Sequence, residues 1–413
     1  MSPVTVDFRL LTLDDYEQAA ELEPRAFYNA PEEDGAERMR EMFPPEWTVG
    51  AFVDGKLVAD VRAIPQVRRF HGATMRFGAV GPVACAAPYR RRGLVGRLLT
   101  MALELMRERG QVLSGLHTPH DALYQRYGWE RAESKVGYSF APKDITLRFR
   151  SAGGHIEPAG GPDAWERLAE MYDARMRDAN GPFMRVERWW RHAILQTWNQ
   201  GKRVPTDGVV WVDADGKDQG YVVYLNRGLA PDGGWVPQEV WMRDFVALTG
   251  DAYIGLWEHM LTHDLAARIS GEFHPDDRFR QLCEDPHKVH VAGGEASMGA
   301  MLRVVDVEQA FARRPFAGTR PASFTAQIED RNLPWNTATW RIEGAEGKML
   351  AERTDAAPDV ELSINILASL FSGYLRPRVA VGSGFARLHR PEALPEMEQA
   401  FAVLSAPYCQ DYY

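Results

Sequence analysis

The 413-residue chain carries 48 lysines and arginines against 57 aspartates and glutamates, a formal charge of −9, and 45% of its residues are hydrophobic. That length exceeds what one core organises and suits two or three domains, and the acidic balance argues against nucleic acid as the main partner while favouring a cationic substrate or acidic walls around a pocket. No apolar run approaches a membrane span and the opening residues lack a signal-peptide pattern, so the expectation is a cytoplasmic protein without a membrane partner. In chain order, Val4 to Leu11 reads as a strand. A helix follows from about Leu13 through Leu22, with Thr12 placed to cap it and Asp14 and Asp15 matching the dipole of the first turn. Ala26-Phe27-Tyr28 and the acidic Pro31 to Asp34 form either a loop facing an amine substrate or a solvated acidic turn. Trp47 to Val53, Lys56 to Ile64 and Gln66 to Phe70 read as successive antiparallel strands, with Asp54-Gly55 as a tight turn.

The central stretch runs from Phe77 to Trp129. Ala79 to Ala87 is a run of small and β-branched residues interrupted by Gly81 and Pro82, a buried strand with an irregularity, and Pro88 ends it. Tyr89-Arg90-Arg91-Arg92-Gly93 then makes a basic glycine turn, and Leu94, Leu98, Met101 and Leu105 recur at helical spacing up to about Gly110. The order strand, basic glycine turn, helix suits a diphosphate, because a helix N-terminus offers unpaired N–H groups and the positive end of its dipole. The lysine and Ser/Thr of a P-loop are missing, which disfavours a magnesium-bound nucleotide triphosphate. Val112 to Leu116 is a second apolar run, and Tyr124-Gln125-Arg126-Tyr127-Gly128-Trp129 follows.

An arginine-rich glycine turn, helix, strand and Y-x-x-[FY]-G-[FYW] segment together resemble the GNAT family of acetyl-CoA-dependent N-acetyltransferases. The R-R-R-G-L form of the turn resembles one branch, the enhanced intracellular survival (Eis) acetyltransferases. The match departs from the usual [QR]-x-x-G-x-[GA] at Val95, where a small residue is expected, and Gly96 comes one position late. The resemblance implies acetyl-CoA as co-substrate and no metal. It places the pantetheine arm along Val83, Ala84 and Cys85, and the pyrophosphate at Arg91, Arg92, Gly93, Leu94, Val95 and Gly96. Pro119 and His120 join the cofactor site on the loop before Tyr124, and Tyr124 falls on the tyrosine that protonates the leaving thiolate.

Glycine and proline cluster between Ser151 and Pro162, so the first boundary is expected there and the first domain spans 1–148. In 149–295 a helix from Trp165 to about Arg177 precedes an apolar face with Trp189, Trp190 and Trp198. Strands Asp207 to Asp213 and Gly220 to Asn226 follow. Val240 to Asp264 repeats the layout strand, glycine turn, helix, but Thr249-Gly250-Asp251 carries no arginine, and Asp251 at a helix start repels phosphate. This second GNAT-like domain is expected to be degenerate. The third, 296–413, opens with a strand at Met301 to Val307 leading into a helix through Ala310 to Arg313. It continues with strands Ser323 to Asp330 and Thr339 to Glu343 and helices near Ile366 to Phe371 and Pro395 to Leu404. It is similar to the sterol-carrier-like domain that closes the family, which gives an α+β class throughout.

The last six residues, Tyr408 to Tyr413, hold three aromatics, which suits a docked terminus and a carboxylate fixed in space. Such a group can take the proton of an attacking amine. The resemblance implies that the Tyr413 carboxylate is the general base. His117 and His120 are alternative bases. Cys85, Cys283 and Cys409 lack disulfide or metal-ligand spacing and read as small buried hydrophobes, although Cys85 or Cys409 as a covalent acetyl carrier is a rival mechanism. The resemblance implies direct N-acetylation of a primary amine of aminoglycoside, polyamine or lysine type by a trimer-based homo-oligomer, up to a hexamer. The alternatives are a CoA- or lipid-binding protein without turnover and an interaction scaffold.

Overall fold

The computed structural model describes residues 5–199, 202–228, 238–293 and 299–413. The chain forms two compact units, one of 1–133, 299–407 and 412–413, the other of 134–298 and 408–411. The first unit begins with β1 (Val6–Leu10), α1 (Tyr16–Ala26), α2 (Gly35–Met42), β2 (Thr48–Val53), β3 (Lys56–Phe70) and β4 (Ala73–Cys85). It continues with α3 (Leu94–Glu108), β5 (Leu113–Leu116), α4 (Asp121–Gln125) and β6 (Glu130–Arg131). In the sheet β1 to β5 lie in sequence order, followed by Met301–Val304 and then β6. The four strands β1 to β4 are antiparallel, and β5 joins β4 in parallel after the α3 crossover.

Helical periodicity decides which face α3 buries. Leu94, Leu98, Leu99, Ala102, Leu103, Leu105 and Met106 form one apolar stripe over Val49 and Ala51 of β2 and Ala59, Val61 and Ala63 of β3. Phe52, Leu57 and Ala84 point to the opposite face and meet Tyr16, Ala19 and Leu22 of α1 and Met39 of α2. Val4, expected in the first strand, lies outside the described residues. The first helix is entered through a short 3₁₀ turn at Leu13–Asp15, where the Asp15 carboxylate accepts from the N–H and the hydroxyl of Thr12 at 2.8 and 2.9 Å.

Two expected strands, Lys56 to Ile64 and Gln66 to Phe70, are one. Pro65 sits opposite Gly78 within a ladder that runs unbroken from Ala63–Val80 to Phe70–Ala73. The irregularity expected at Gly81-Pro82 is present: the β3–β4 register shifts between Val61 and Ala63, and the Gly81–Pro82 bond is cis.

The rest of the first unit is a sheet in the order Lys348–Arg353, Ala338–Ala345, Ala322–Glu329, Val360–Ser363, Ala386–Leu388. Helices Val307–Arg313, Ile364–Ser372 and Ala393–Ala400 accompany it. Alternation in Ala322–Glu329 buries Phe324, Ala326 and Ile328. The strand expected to open this domain, Met301–Val304, pairs instead with β5 and β6. All four of its residues are buried, and it covers the edge that β5 would otherwise expose.

In the second unit the sheet order is His290–Gly293, Val136–Phe140, Ala266–Phe273, Gln238–Ala247, Asp218–Gly228, Asp207–Val212, His155–Pro158. Gln238–Ala247 and Ala266–Phe273 are parallel and joined through the helix Gly250–Met260, the layout of β4, α3 and β5 repeated. The boundary expected at 148/149 falls inside this unit, because Val136–Phe140 pairs with both Ala266–Phe273 and His290–Gly293. The Ser151 to Pro162 cluster instead flanks the edge strand His155–Pro158. The boundary at 295/296 lies outside the described residues. Trp189 and Trp190 are buried as expected, whereas Trp198 belongs to a strand, Gln196–Asn199.

Candidate active site

The β4–β5 ladder is short: Phe77, Gly78 and Ala79 pair with Leu113, Ser114 and Gly115, and pairing stops there. Two side chains reinforce it, Ser114 Oγ donating to Gly78 O at 2.7 Å and Gln111 Nε2 to Phe77 O at 3.0 Å. Beyond Gly115 the strands diverge, and the chain terminus lies at the opening. A Cβ added to Gly81 would stand 3.0 Å from the main-chain carbonyl carbon of Tyr413 and 3.0 Å from its oxygen, so the Tyr413 carboxyl group lies in close contact with β4 at this glycine. A Cβ on Gly115 would come within 2.8 Å of the Tyr413 hydroxyl. Tyr413 therefore reaches from Gly81 on β4 to Gly115 on β5. Its ring is edge-on to Phe77 at 6.3 Å and to His117 at 4.9 Å, and the Tyr412 ring lies 4.7 Å from the same histidine.

The basic turn precedes an uncapped helix. Gly93 is the N-cap of α3 with φ 81°, and no side chain caps the first turn. The N–H groups of Leu94, Val95 and Gly96 therefore face outward as donors. Arg91, with φ 61°, and Arg92 are exposed beside them, and Arg92 stacks on Tyr89 at 5.3 Å. Arg90 has a different task. It donates to Cys85 O at 3.1 Å, to the Tyr28 hydroxyl at 3.0 Å and to Ala26 O at 2.9 Å, tying the turn to the end of α1. In the acidic loop, Glu32 pairs with Arg38 of α2.

Tyr124 is in α4, 9% exposed, and its ring is edge-on to the fully buried Trp129 at 6.2 Å. Burial pushes its phenol up to about 12, so it holds its proton throughout the neutral range. A phenol held this high gives up its proton only to a strongly basic thiolate. Val83, Cys85, Leu94, Val95 and Tyr124, all expected at the site, belong to one apolar core, which Tyr127 also joins.

Other residues are placed differently from the expectation. Ala84 turns its side chain to the α1 face. The absence of a side chain at Gly96 makes room for Tyr127, whose hydroxyl would lie 2.1 Å from a Cβ there. Pro119 and His120 are exposed, and the His120 N–H donates to Thr118 Oγ1 at 2.9 Å just before α4. His117, not His120, meets the terminal residues. Burial raises the Cys85 thiol above its ordinary value, an effect the Arg90 charge opposes, and this disfavours the thiolate a covalent carrier needs. Sequence reasoning passed over Phe77, Gly81 and Gly115 as parts of the terminus socket; the Gly81-Pro82 break in an apolar strand was the available signal.

A donor that is long, anionic at one end and thioester-bearing at the other fits this geometry: exposed arginines, free N–H groups and an uncrowded Gly93 at the turn lead to a strand opening that ends at a carboxylate. Among the described residues no cluster of His, Cys, Asp and Glu is arranged to hold a metal ion, and no helix is long and apolar enough to cross a membrane.

Family models for an acetyltransferase (GNAT) domain match residues 7–132 and again 181–304, and a sterol carrier protein domain matches 307–410. An uncharacterized N-acetyltransferase of Streptomyces griseus is 27% identical over 375 residues, covering 89% of each chain. N-acetyltransferase Eis of Mycobacterium tuberculosis is 24% identical, covering 78% of this chain and 76% of its own. The crystal structure of Eis1 from Mycobacterium abscessus superposes with a TM-score of 0.80 at 25% identity over 98% of this chain and 100% of that one.

Proposed function

The chain belongs to the Eis-like GNAT acetyltransferases, with two GNAT domains followed by a sterol-carrier domain, and from that premise we propose direct transfer of an acetyl group from acetyl-CoA to a primary amine of aminoglycoside, polyamine or lysine type, in a ternary complex at the β4–β5 opening. GNAT domains use acetyl-CoA as co-substrate. Here Arg91, Arg92 and the N–H groups of Leu94, Val95 and Gly96 hold its diphosphate, while Val83 and Cys85, with the main chain of Ala84, line the pantetheine arm. Pro119 and His120 border the arm on the loop before α4. The Tyr413 carboxylate accepts a proton from the amine as it attacks the thioester carbonyl. A main-chain N–H of Val83 to Cys85 holds the developing oxyanion. Tyr124 donates to the departing sulfur. The enzyme works in the cytoplasm as a trimer-based homo-oligomer.

The observation that carries this reading is the terminal carboxylate against Gly81, at the point where β4 and β5 part. A chain extended by a few residues after Tyr413 removes that carboxylate. In assays of CoA-SH release from acetyl-CoA with a polyamine, an aminoglycoside and a lysine peptide, the extended chain is expected to lose roughly 10²- to 10⁴-fold in rate while acetyl-CoA binding is retained. Equal rates for the two chains overturn the carboxylate as base.

A further inference from the structure

Tyr124 sits at the end of a short helix, and the segment after it has little regular structure of its own: β6 is only Glu130–Arg131. What fixes this segment comes from far along the chain. Asn365 Nδ2, on the helix Ile364–Ser372, donates to Gln125 O at 2.9 Å and to Trp129 O at 3.0 Å. Ser369 Oγ, one turn further on the same helix, donates to Arg131 O at 2.7 Å. Arg303 Nε donates to Tyr127 O at 2.9 Å. The carbonyls of residues 125, 127, 129 and 131 are thus each held by a side chain from residues 303 to 369.

Arg303 is itself anchored. Its guanidinium, fully buried, donates to both carboxylate oxygens of Asp330 at 2.8 and 2.6 Å, and Asp330 also accepts from Asn336 Nδ2 at 2.9 Å. Gly128 has φ 90°, and a Cβ there would stand 2.6 Å from Arg303 Nε, so the glycine of the Tyr124–Trp129 segment makes room for this guanidinium. The segment in turn holds Trp129 against the Tyr124 ring. Four hydrogen bonds from three side chains to alternate carbonyls are more than chain closure requires, since two hydrogen bonds from Tyr127 N and Trp129 N to Tyr124 O already close the turn at 2.9 and 3.3 Å.

We propose that Arg303 and Asn365 are positioning residues for Tyr124, and that the C-terminal domain serves the reaction by clamping the segment that aims its phenol. This rests on the reading of Tyr124 as the donor to the leaving sulfur. A misplacement of about 1 Å at a reacting group costs on the order of 10²-fold in rate, which gives such a clamp kinetic weight. Arg303 is a poor first target, because its removal strands a buried Asp330. Asn365 is half-buried and outside that ion pair.

The test compares Asn365→Leu, Tyr124→Phe and the double variant in the full chain, following CoA-SH release from acetyl-CoA with a polyamine as acceptor. Ring resonances of labelled tyrosine are recorded in parallel, the Tyr124 signal being identified by its loss in Tyr124→Phe. Asn365→Leu is expected to lower kcat roughly 10- to 100-fold, to leave KM for acetyl-CoA unchanged and to shift the Tyr124 resonance. In the double variant the leucine adds no further loss, because it acts through a phenol already absent. A Tyr124 resonance unmoved by Asn365→Leu overturns the clamp, as do losses that multiply in the double variant or a wild-type kcat for Asn365→Leu beside a slow Tyr124→Phe. A wild-type rate for Tyr124→Phe itself refutes the donor role of Tyr124, and the clamp proposal with it.

Discussion

The two GNAT domains place the same elements in the same order and differ at the two points where a donor would bind. In the first, α3 starts from Gly93 without a side-chain cap and with Arg91 and Arg92 beside it. In the second, Thr249 Oγ1 accepts from Ala252 N at 3.1 Å, and Asp251 accepts from Ala152 N at 3.0 Å. Its helix N-terminus is therefore satisfied from within the chain and carries negative charge. The strand openings differ as well. In the second unit the parallel pairing ends at Met242 and Gly271, and just beyond it Gln410 Nε2 donates to Arg243 O at 3.1 Å while the Tyr408 hydroxyl donates to Glu272 O at 3.1 Å. Residues 408–411 thus fill, within the second unit, the opening whose counterpart in the first unit lies between β4 and β5. Asp411 is fixed there by Arg185 Nε at 3.0 Å and Trp189 Nε1 at 2.8 Å, all fully or nearly buried. The same backbone layout thus carries an uncapped helix start in one unit, and in the other a capped helix with the strand gap filled by chain.

The comparison breaks first at the arginines. Arg91→Ala and Arg92→Ala are each expected to raise KM for acetyl-CoA about 10-fold, and together about 100-fold, with kcat kept, because a charge-assisted hydrogen bond to phosphate contributes roughly 1.5–3 kcal/mol. Placing Thr249→Gly and Asp251→Arg in that double variant sharpens the contrast. The affinity for acetyl-CoA lost in the double variant is not expected to be regained by calorimetry, since residues 408–411 still fill the second opening.

Gly96 gives a smaller effect. Gly96→Ala drives a methyl into the Tyr127 hydroxyl and is expected to lower stability by about 1–3 kcal/mol in urea unfolding, with most of the loss recovered when Tyr127→Phe is added. Loss of acetyl-CoA binding without loss of stability would instead give Gly96 its role at the phosphate. The smallest effect belongs to the second cap. Thr249→Ala is expected to cost about 1 kcal/mol in the same measurement and to leave turnover untouched, whereas Gly93 has no cap to lose.

Much of the fold was legible because its signals are local. The α3 stripe, the glycine turn and the Tyr124 to Trp129 segment each lie within a few turns of chain, and a 3.6-residue period or a positive-φ glycine expresses itself at that range. The repeated strand, turn and helix at Gln238–Met260 was readable for the same reason, as was the lack of arginine there. Strand limits were less so: Pro65 reads as a break, yet the ladder to β4 carries the strand through it.

The sequence by itself determined the class of the domains, the basic glycine turn at a helix start and the aromatic, docked character of the terminus. Tertiary structure alone decided what those features meet: the carboxylate at Gly81, His117 rather than His120 at the terminal rings, Tyr127 against Gly96, and the grip of Asn365 and Arg303 on the segment after Tyr124. Met301–Val304 likewise shows its place only when paired with β5. Partners separated by 176 to 240 positions, as Arg303 with Tyr127 and Asn365 with Gln125 are, leave no periodic trace, because nothing in the intervening chain has to change for the contact to form.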